Sequence, residues 1–237
     1  METLYLKDCQ MKEFEANILD VTDDRFVVLN RTAFYPSSGG QPHDTGKLVC
    51  DGKEYTVIFV GKFDGKISHE VSEAGLKVGD KVKGAIDWDR RSLFMKYHTA
   101  AHILSAIIHS ETGAKISGNQ IAEEKTRVDF NLEDFDRELI GSYEAKVNEI
   151  IDRNIDMEID ILPRDEALKI PSVVKLKDAF PPEIEEIRVI RIPDVDDQAC
   201  GGTHVANTGE IPHIEIFKAE NKGKNNRRIY FRFPDIF

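Results

Sequence analysis

His98 and His102 stand four residues apart, and Cys200 and His204 enclose Gly201, Gly202 and Thr203. On a helix, an i, i+4 pair places both imidazoles on one face, a turn apart, where they can clamp a single ion. A thiolate and an imidazole with two glycines between them suit a loop that folds tightly around a ligand. One sulfur and three nitrogens match the borderline softness of Zn2+, so one zinc ion per chain is the expected cofactor. Four protein ligands usually mark a structural zinc, whereas a catalytic one keeps an open position. Hydrolysis at this set therefore needs a loose ligand or an expanded shell that admits water. Thr99 follows His98 and no carboxylate lies between the two histidines, which removes the metallopeptidase H-E-x-x-H arrangement.

A helix must carry the first pair. Leu93, Phe94, Tyr97, Ala101, Leu104, Ile107 and Ile108 recur at spacings of three and four, with Asp87 or Asp89 as a cap and Gly113 as a stop. A second helix is expected from about Asn131 to Arg153, with Phe135, Leu139, Tyr143, Val147, Ile150 and Ile151 along one face. Strands at Met157–Leu162, Ile187–Ile192, His213–Ala219 and Arg228–Phe233 complete a part in which helices pack on an antiparallel sheet. Before Trp88 the chain reads as short strands: Thr3–Lys7, Glu13–Val21, Arg25–Asn30, Gly46–Cys50, Glu54–Val60, Lys66–Val71 and Lys81–Trp88. Asp23-Asp24, Asp51-Gly52 and Asp64-Gly65 break them as tight hairpins do. The expected fold is α+β: a small antiparallel β-barrel domain over 1–88, then an α+β domain over 89–237.

The 237 residues suffice for such a pair of domains without disulfides. With 32 Lys and Arg against 43 Asp and Glu, the net charge of −11 excludes a protein that coats nucleic acid by bulk charge. No apolar run approaches the length of about 18 residues that a membrane span needs, and no leader is visible, so no membrane partner is expected. Cys9, Cys50 and Cys200 are odd in number and widely spaced, which fits a reducing cytoplasm. No dimerisation segment is evident, and a monomer is expected.

Tyr97-His98-Thr99-Ala100-Ala101-His102-Ile103-Leu104 followed by Cys200-Gly201-Gly202-Thr203-His204-Val205 resembles the editing domain of alanyl-tRNA synthetases. Ile86-Asp87-Trp88-Asp89-Arg90-Arg91, Thr208-Gly209-Glu210-Ile211 and Lys222-Gly223-Lys224-Asn225-Asn226-Arg227-Arg228-Ile229 fit the same family. Upstream, the run from Phe34 through Pro36-Ser37-Ser38-Gly39-Gly40-Gln41-Pro42-His43-Asp44 to Gly46 is similar to the glycine-rich motif of the barrel that precedes that domain. No length remains for an aminoacylation core, so the chain resembles freestanding editors of the AlaX type in their medium form. Two departures stand out: Ser38 precedes Gly39-Gly40 where three glycines are common, and Pro212, at an expected strand start, replaces a common glycine.

The resemblance implies hydrolysis of the ester in mischarged tRNA(Ala), chiefly seryl-tRNA(Ala), with glycyl-tRNA(Ala) as a further candidate, through contacts to the acceptor stem and 3′ end. It puts the zinc ligands at His98, His102, Cys200 and His204. Thr99, Thr203, Asp196 and Asp197 are candidates for orienting a ligand, a water or the substrate, and no general base is assigned. Asn119, Gln120, Gly201 and Gly202, with Gly39, Gly40, Gln41, His43 and Asp44 of the barrel motif, are candidates for substrate binding. Arg90, Arg91, Lys222, Lys224, Arg227 and Arg228 are expected to meet phosphates, with the acidic stretch Asp178 to Glu186 turned away from RNA. The alternatives are a non-catalytic, zinc-stabilised RNA-binding module and an editor of another mischarged tRNA such as seryl-tRNA(Thr).

Overall fold

The computed structural model describes residues 1–132, 137–174, 184–234 and 236. Phe135, and residues 178–183 of the acidic stretch, lie outside the described residues. The chain divides into two compact units, Met1–Met95 with Ile121–Glu123 and Lys96–Gln120 with Glu124–Phe237.

The first unit runs through β1 (Glu2–Thr3), α1 (Leu4–Lys7), β2 (Glu13–Thr22), β3 (Phe26–Leu29), β4 (Arg31–Thr32), β5 (Gly46–Cys50), β6 (Lys53–Phe63), β7 (Lys66–Val71) and β8 (Lys81–Ile86). β1 pairs in parallel with β4, and the other six strands close an antiparallel barrel in the order β2-β3-β7-β6-β5-β8. Alternation drives the closure: on β2, Phe14, Ala16 and Ile18 enter the core while Glu13, Glu15 and Asn17 stay exposed. Asp51-Gly52 (φ 47° and 81°) and Asp64-Gly65 (φ 48° and 77°) make left-handed two-residue turns that match the twist of their strands. Thr3–Lys7, expected as a strand, is extended only at its start. Asp8 N–H donates to the Leu4 carbonyl at 3.0 Å, and this helical turn buries Tyr5 edge-on against Tyr35.

α2 (Trp88–Thr112) is capped by Asp87, whose Oδ1 accepts the Arg90 N–H at 3.3 Å, and ends at Gly113, with φ 73°. Its opening turns belong to the first unit and the remainder to the second. The second unit continues through β9 (Ile116–Ile121), β10 (Thr126–Phe130), α3 (Arg137–Asp152), β11 (Glu158–Pro163), α4 (Arg164–Ala167), α5 (Pro171–Val174), β12 (Glu186–Ile192), β13 (Asp196–Ala199), β14 (Glu215–Gly223) and β15 (Asn226–Arg232). These strands form a four-stranded sheet in the order β14-β15-β10-β9 and an antiparallel sheet β11-β12-β13. On α3, Tyr143, Val147 and Ile151 are buried, but Leu139 is exposed. Pro212 lies in the loop before β14, not at a strand start. Among the described residues, no helix is long and apolar enough to cross a membrane.

The barrel core also holds a fully buried histidine. The Val27 carbonyl accepts from His69 Nδ1 at 3.0 Å, so Nε2 is the bare nitrogen and accepts the Thr32 hydroxyl at 2.8 Å. Burial pushes His69 down to about 4 from its ordinary 6.5, against the opposing pull of the Val27 carbonyl. Between those values the unfolded chain binds more protons than the folded one. Stability is therefore complete above about pH 6.5 and falls by about 3 kcal/mol as the pH drops through about 4. Denaturant unfolding at pH 7 and pH 4 should show this loss and His69→Gln should flatten it; an unchanged pH dependence in the variant would contradict the assignment.

Candidate metal centre

His98 and His102 face one side of α2 with ring centroids 5.1 Å apart. The segment after β13 carries Cys200 and His204 against them. Cys200 Sγ lies 3.6 Å from His98 Nε2 and 3.5 Å from His204 Nε2, and all four donor atoms fall within 4.8 Å of one another. A tetrahedral ion bound at about 2.3 Å by sulfur and about 2.0–2.1 Å by nitrogen separates those donors by about 3.6 Å. The residues present thus fit a borderline-soft divalent ion. Arg188 of β12 clamps the loop: its Nη1 donates to the Cys200 carbonyl at 2.6 Å and the Gly202 carbonyl at 2.9 Å. Gly202 N–H points at Cys200 Sγ from 3.4 Å.

The electrostatics prepare a thiolate. Burial pushes the Cys200 thiol up, but the His98 and His102 imidazoles, with hydrogen bonds from His102 and His204, outweigh it and hold the thiol well below its usual range. Burial likewise lowers His102, yet Cys200 and Asp196 raise it to about 9. His204 is held well below its ordinary value by burial and by His98. The outer atoms of two rings have protein neighbours. His204 Nδ1 lies 3.1 Å from Thr99 Oγ1, which also accepts the Val205 N–H at 3.4 Å. His102 Nδ1 lies 3.7 Å from Asp196 Oδ2, and among the described residues neither atom has a hydrogen-bond partner.

Of the two aspartates singled out in the sequence, the fold brings only Asp196 to the cluster. Neighbours on a strand face opposite ways, and Asp197 instead meets Arg191 Nη1 at 3.3 Å, while Arg191 Nε donates to Asp160 at 2.7 Å. Thr203 is buried, Gly201 exposed and Gly202 buried within the ligand loop. Asn119 and Gln120 lie on the edge strand β9, half-buried and exposed. Arg188 carries no sequence signal, because it reaches the loop across a sheet and shares no spacing with the ligands.

In the barrel motif, Gly39 and Gly40 (φ 57° and 84°) form a turn closed by reciprocal Ser38 and Gln41 backbone bonds, and Gln41 is buried. His43 Nδ1 donates to the Asp44 carbonyl at 2.9 Å. Asp44 and Arg91 depart from expectation. Both are fully buried and paired, with Arg91 Nε 3.0 Å from each Asp44 oxygen, Arg91 Nη1 on the Cys9 carbonyl at 3.1 Å and the Tyr35 N–H on Asp44 Oδ2 at 2.6 Å. A side chain enclosed in this way ties the motif to the start of α2 and reaches no phosphate. Arg90 donates to the His43 carbonyl at 3.1 Å and pairs with Glu123. The C-terminal cations are largely neutralised by their own sheet: Lys222 pairs with Glu220, Arg228 grips Asp129 with two bonds of 2.7 and 2.8 Å, and Arg227 is buried on Asn221 and Gly223. Lys224, at the turn, is exposed.

Comparison with known proteins gives this geometry a family. Residues 2–90 match class II (A) tRNA synthetases, and residues 187–230 match the threonyl and alanyl tRNA synthetase second additional domain. The chain is 50% identical to the alanyl-tRNA editing protein AlaX-M of Methanosarcina acetivorans over 99% of both chains. It is 45% identical to that of Saccharolobus solfataricus, over 97% of this chain and 98% of the relative. The alanine–tRNA ligase of Pyrococcus abyssi is 38% identical over 97% of this chain, which spans 25% of the ligase. With these matches running the length of the chain, and its four donors converging on one point, the chain belongs to the AlaX-M family of alanyl-tRNA editing proteins.

Proposed function

We propose that this protein is a trans-acting deacylase. It hydrolyses the ester of mischarged tRNA(Ala), with seryl-tRNA(Ala) as the chief substrate and glycyl-tRNA(Ala) as the second, and zinc is the ion at the four-donor cluster. The observation that carries the reading is the assembled cluster itself, a thiolate and three imidazoles from one chain, in a family whose members are named for alanyl-tRNA editing. All four donors come from a single chain, in keeping with action as a monomer, and charged tRNA places the work in the cytoplasm. The barrel domain over 1–88 and the editing domain over 89–237 divide the task between RNA contact and hydrolysis.

When bound, zinc supplies Lewis acidity and fixes the Cys200–His204 loop to α2. The remaining roles belong to the chain. Thr99 accepts from His204 Nδ1 and so directs Nε2 into the cluster, and the Asp196 carboxylate faces His102 Nδ1 from 3.7 Å, where its charge favours a proton on that nitrogen and leaves Nε2 for the ion. An aminoacyl ester is intrinsically labile, so holding the 3′ adenosine and the amino acid in place is the larger part of the task. Serine is larger than alanine, and size alone cannot admit it selectively. A pocket that pairs the seryl hydroxyl leaves polar groups unsatisfied when alanine enters, and rejects it kinetically. Thr203, Asn119, Gln120, Gly201 and Gly202 are the residues we assign to that pocket, and Lys224 and Arg90 to the acceptor stem.

Four protein ligands favour a second reading, a non-catalytic zinc-stabilised RNA-binding module. Single-turnover hydrolysis of seryl-, glycyl- and alanyl-tRNA(Ala) and of seryl-tRNA(Thr), with and without chelator, separates the two. Seryl-tRNA(Ala) should be hydrolysed in preference to alanyl-tRNA(Ala). Cys200→Ala should lower that rate by more than about a hundredfold, beyond the loss usual for a supporting residue. No turnover of any ester by zinc-loaded protein would establish the binding module instead. For the supporting residues, Asp196→Asn should weaken zinc affinity about tenfold to a hundredfold in chelator competition, and Asp197→Asn should not. Equal effects of the two would contradict the role given to Asp196.

A further inference from the structure

The barrel carries an aromatic row that neither its core nor the metal cluster uses. Phe59, Gly61 and Phe63 alternate along β6 on the face opposite Val60, which is buried in the core. A methyl group at Gly61 would lie 2.6 Å from Phe59 Cε1 and 2.9 Å from Phe63 Cε2, so the two rings close over bare backbone. Their centroids are 6.4 Å apart, and the His43 ring stands 4.7 Å beyond Phe59. The Asp44 carbonyl anchors that imidazole. Phe63, at the end of the row, is 55% exposed. The glycine turn of the barrel motif joins the same strand, with Ser37 N–H donating to the Val60 carbonyl at 3.0 Å.

A cation accompanies the rings. Lys66, the cross-strand partner of Phe63, shares its face and is exposed, and among the described residues no ion pair joins it, whereas Lys62 lies opposite Ile67 on the other face. Lys47, Lys53 and Lys83 of the same barrel each pair with a glutamate. Asp64, at the turn, is the one carboxylate between Phe59 and Lys66. An exposed ring backed by two half-buried ones, with an unpaired cation beside it, suits a ligand that has flat apolar faces and a phosphate backbone. Every nucleobase offers a π-face, and lysines neutralise the adjoining phosphates. In a duplex those faces are already stacked, so the row selects an unpaired segment.

We propose that His43, Phe59 and Phe63 form a stacking surface for unpaired bases of the tRNA, with Lys66 on a neighbouring phosphate. The identification of the RNA as tRNA rests on the function proposed above. The test is fluorescence anisotropy of the full chain with an uncharged acceptor-stem hairpin that keeps its unpaired 3′ tail, and with the same hairpin cut blunt. Phe63→Ala and Phe63→Leu should each weaken binding of the tailed hairpin about tenfold and leave the blunt one unchanged. Phe63→Tyr should restore wild-type affinity. Val78→Ala, at a residue 63% exposed on the same barrel, is the control and should change neither. Equal affinity of wild type and Phe63→Ala for the tailed hairpin overturns the proposal, as does full binding by Phe63→Leu, or an equal loss on both hairpins. A change in sedimentation without a change in RNA affinity also overturns it and assigns the row to self-association. The RNA carries no ester, so failure here leaves the deacylation result standing, and failure of deacylation leaves this one standing.

Discussion

Three buried imidazoles and a half-buried thiol whose donor atoms lie within 4.8 Å of one another cannot all keep their ordinary protonation. His102 is raised to about 9, while Cys200 and His204 are held well below their usual ranges. A shared divalent cation resolves that conflict by accepting a lone pair from each donor. The surrounding unit is arranged for the same end. α2 supplies two donors at one-turn spacing, Arg188 holds two loop carbonyls, Thr99 fixes His204, and Asp196 stands behind His102. A supported set of this kind positions its ligands before an ion arrives.

The barrel follows the same rule with a different counter-charge. Asp44 and Arg91 are fully enclosed, and their donors and acceptors meet each other or the backbone of Cys9, Ala33 and Tyr35. A buried charge is tolerable when it is paired and hydrogen-bonded. That pairing also explains how a chain of net charge −11 can serve RNA. Arg91, Arg227, Arg228 and Lys222 are occupied within the protein, while Lys66 and Lys224 are among the exposed cations that no ion pair joins among the described residues.

The features legible in the sequence were those fixed by local chemistry. Asp51-Gly52 and Asp64-Gly65 announce their turns because few residues accept left-handed backbone, and α2 announces itself through period and caps. His98 with His102, and Cys200 with His204, were readable because each pair is local and both ask for one ion. Features that depend on distant partners were hidden. Arg91 looks like any surface arginine until Asp44, 47 residues away, encloses it. Asp196 and Asp197 differ only by the strand face that β13 gives them, and a four-residue strand without apolar alternation leaves no trace. The β9–β10 hairpin is hidden because Ile116-Ser-Gly-Asn-Gln is polar and glycine-bearing, and reads as a turn. Thr3–Lys7 reads as a strand because its apolar run is too short to distinguish a strand from a single helical turn.

The occupant of the cluster is open to one direct measurement, zinc K-edge X-ray absorption with metal quantitation on the purified full chain. One zinc per chain, bound by nitrogens at about 2.0–2.1 Å and one sulfur at about 2.3 Å, is the expected result. A coordination shell without sulfur, or protein that takes up no stoichiometric zinc, would contradict it.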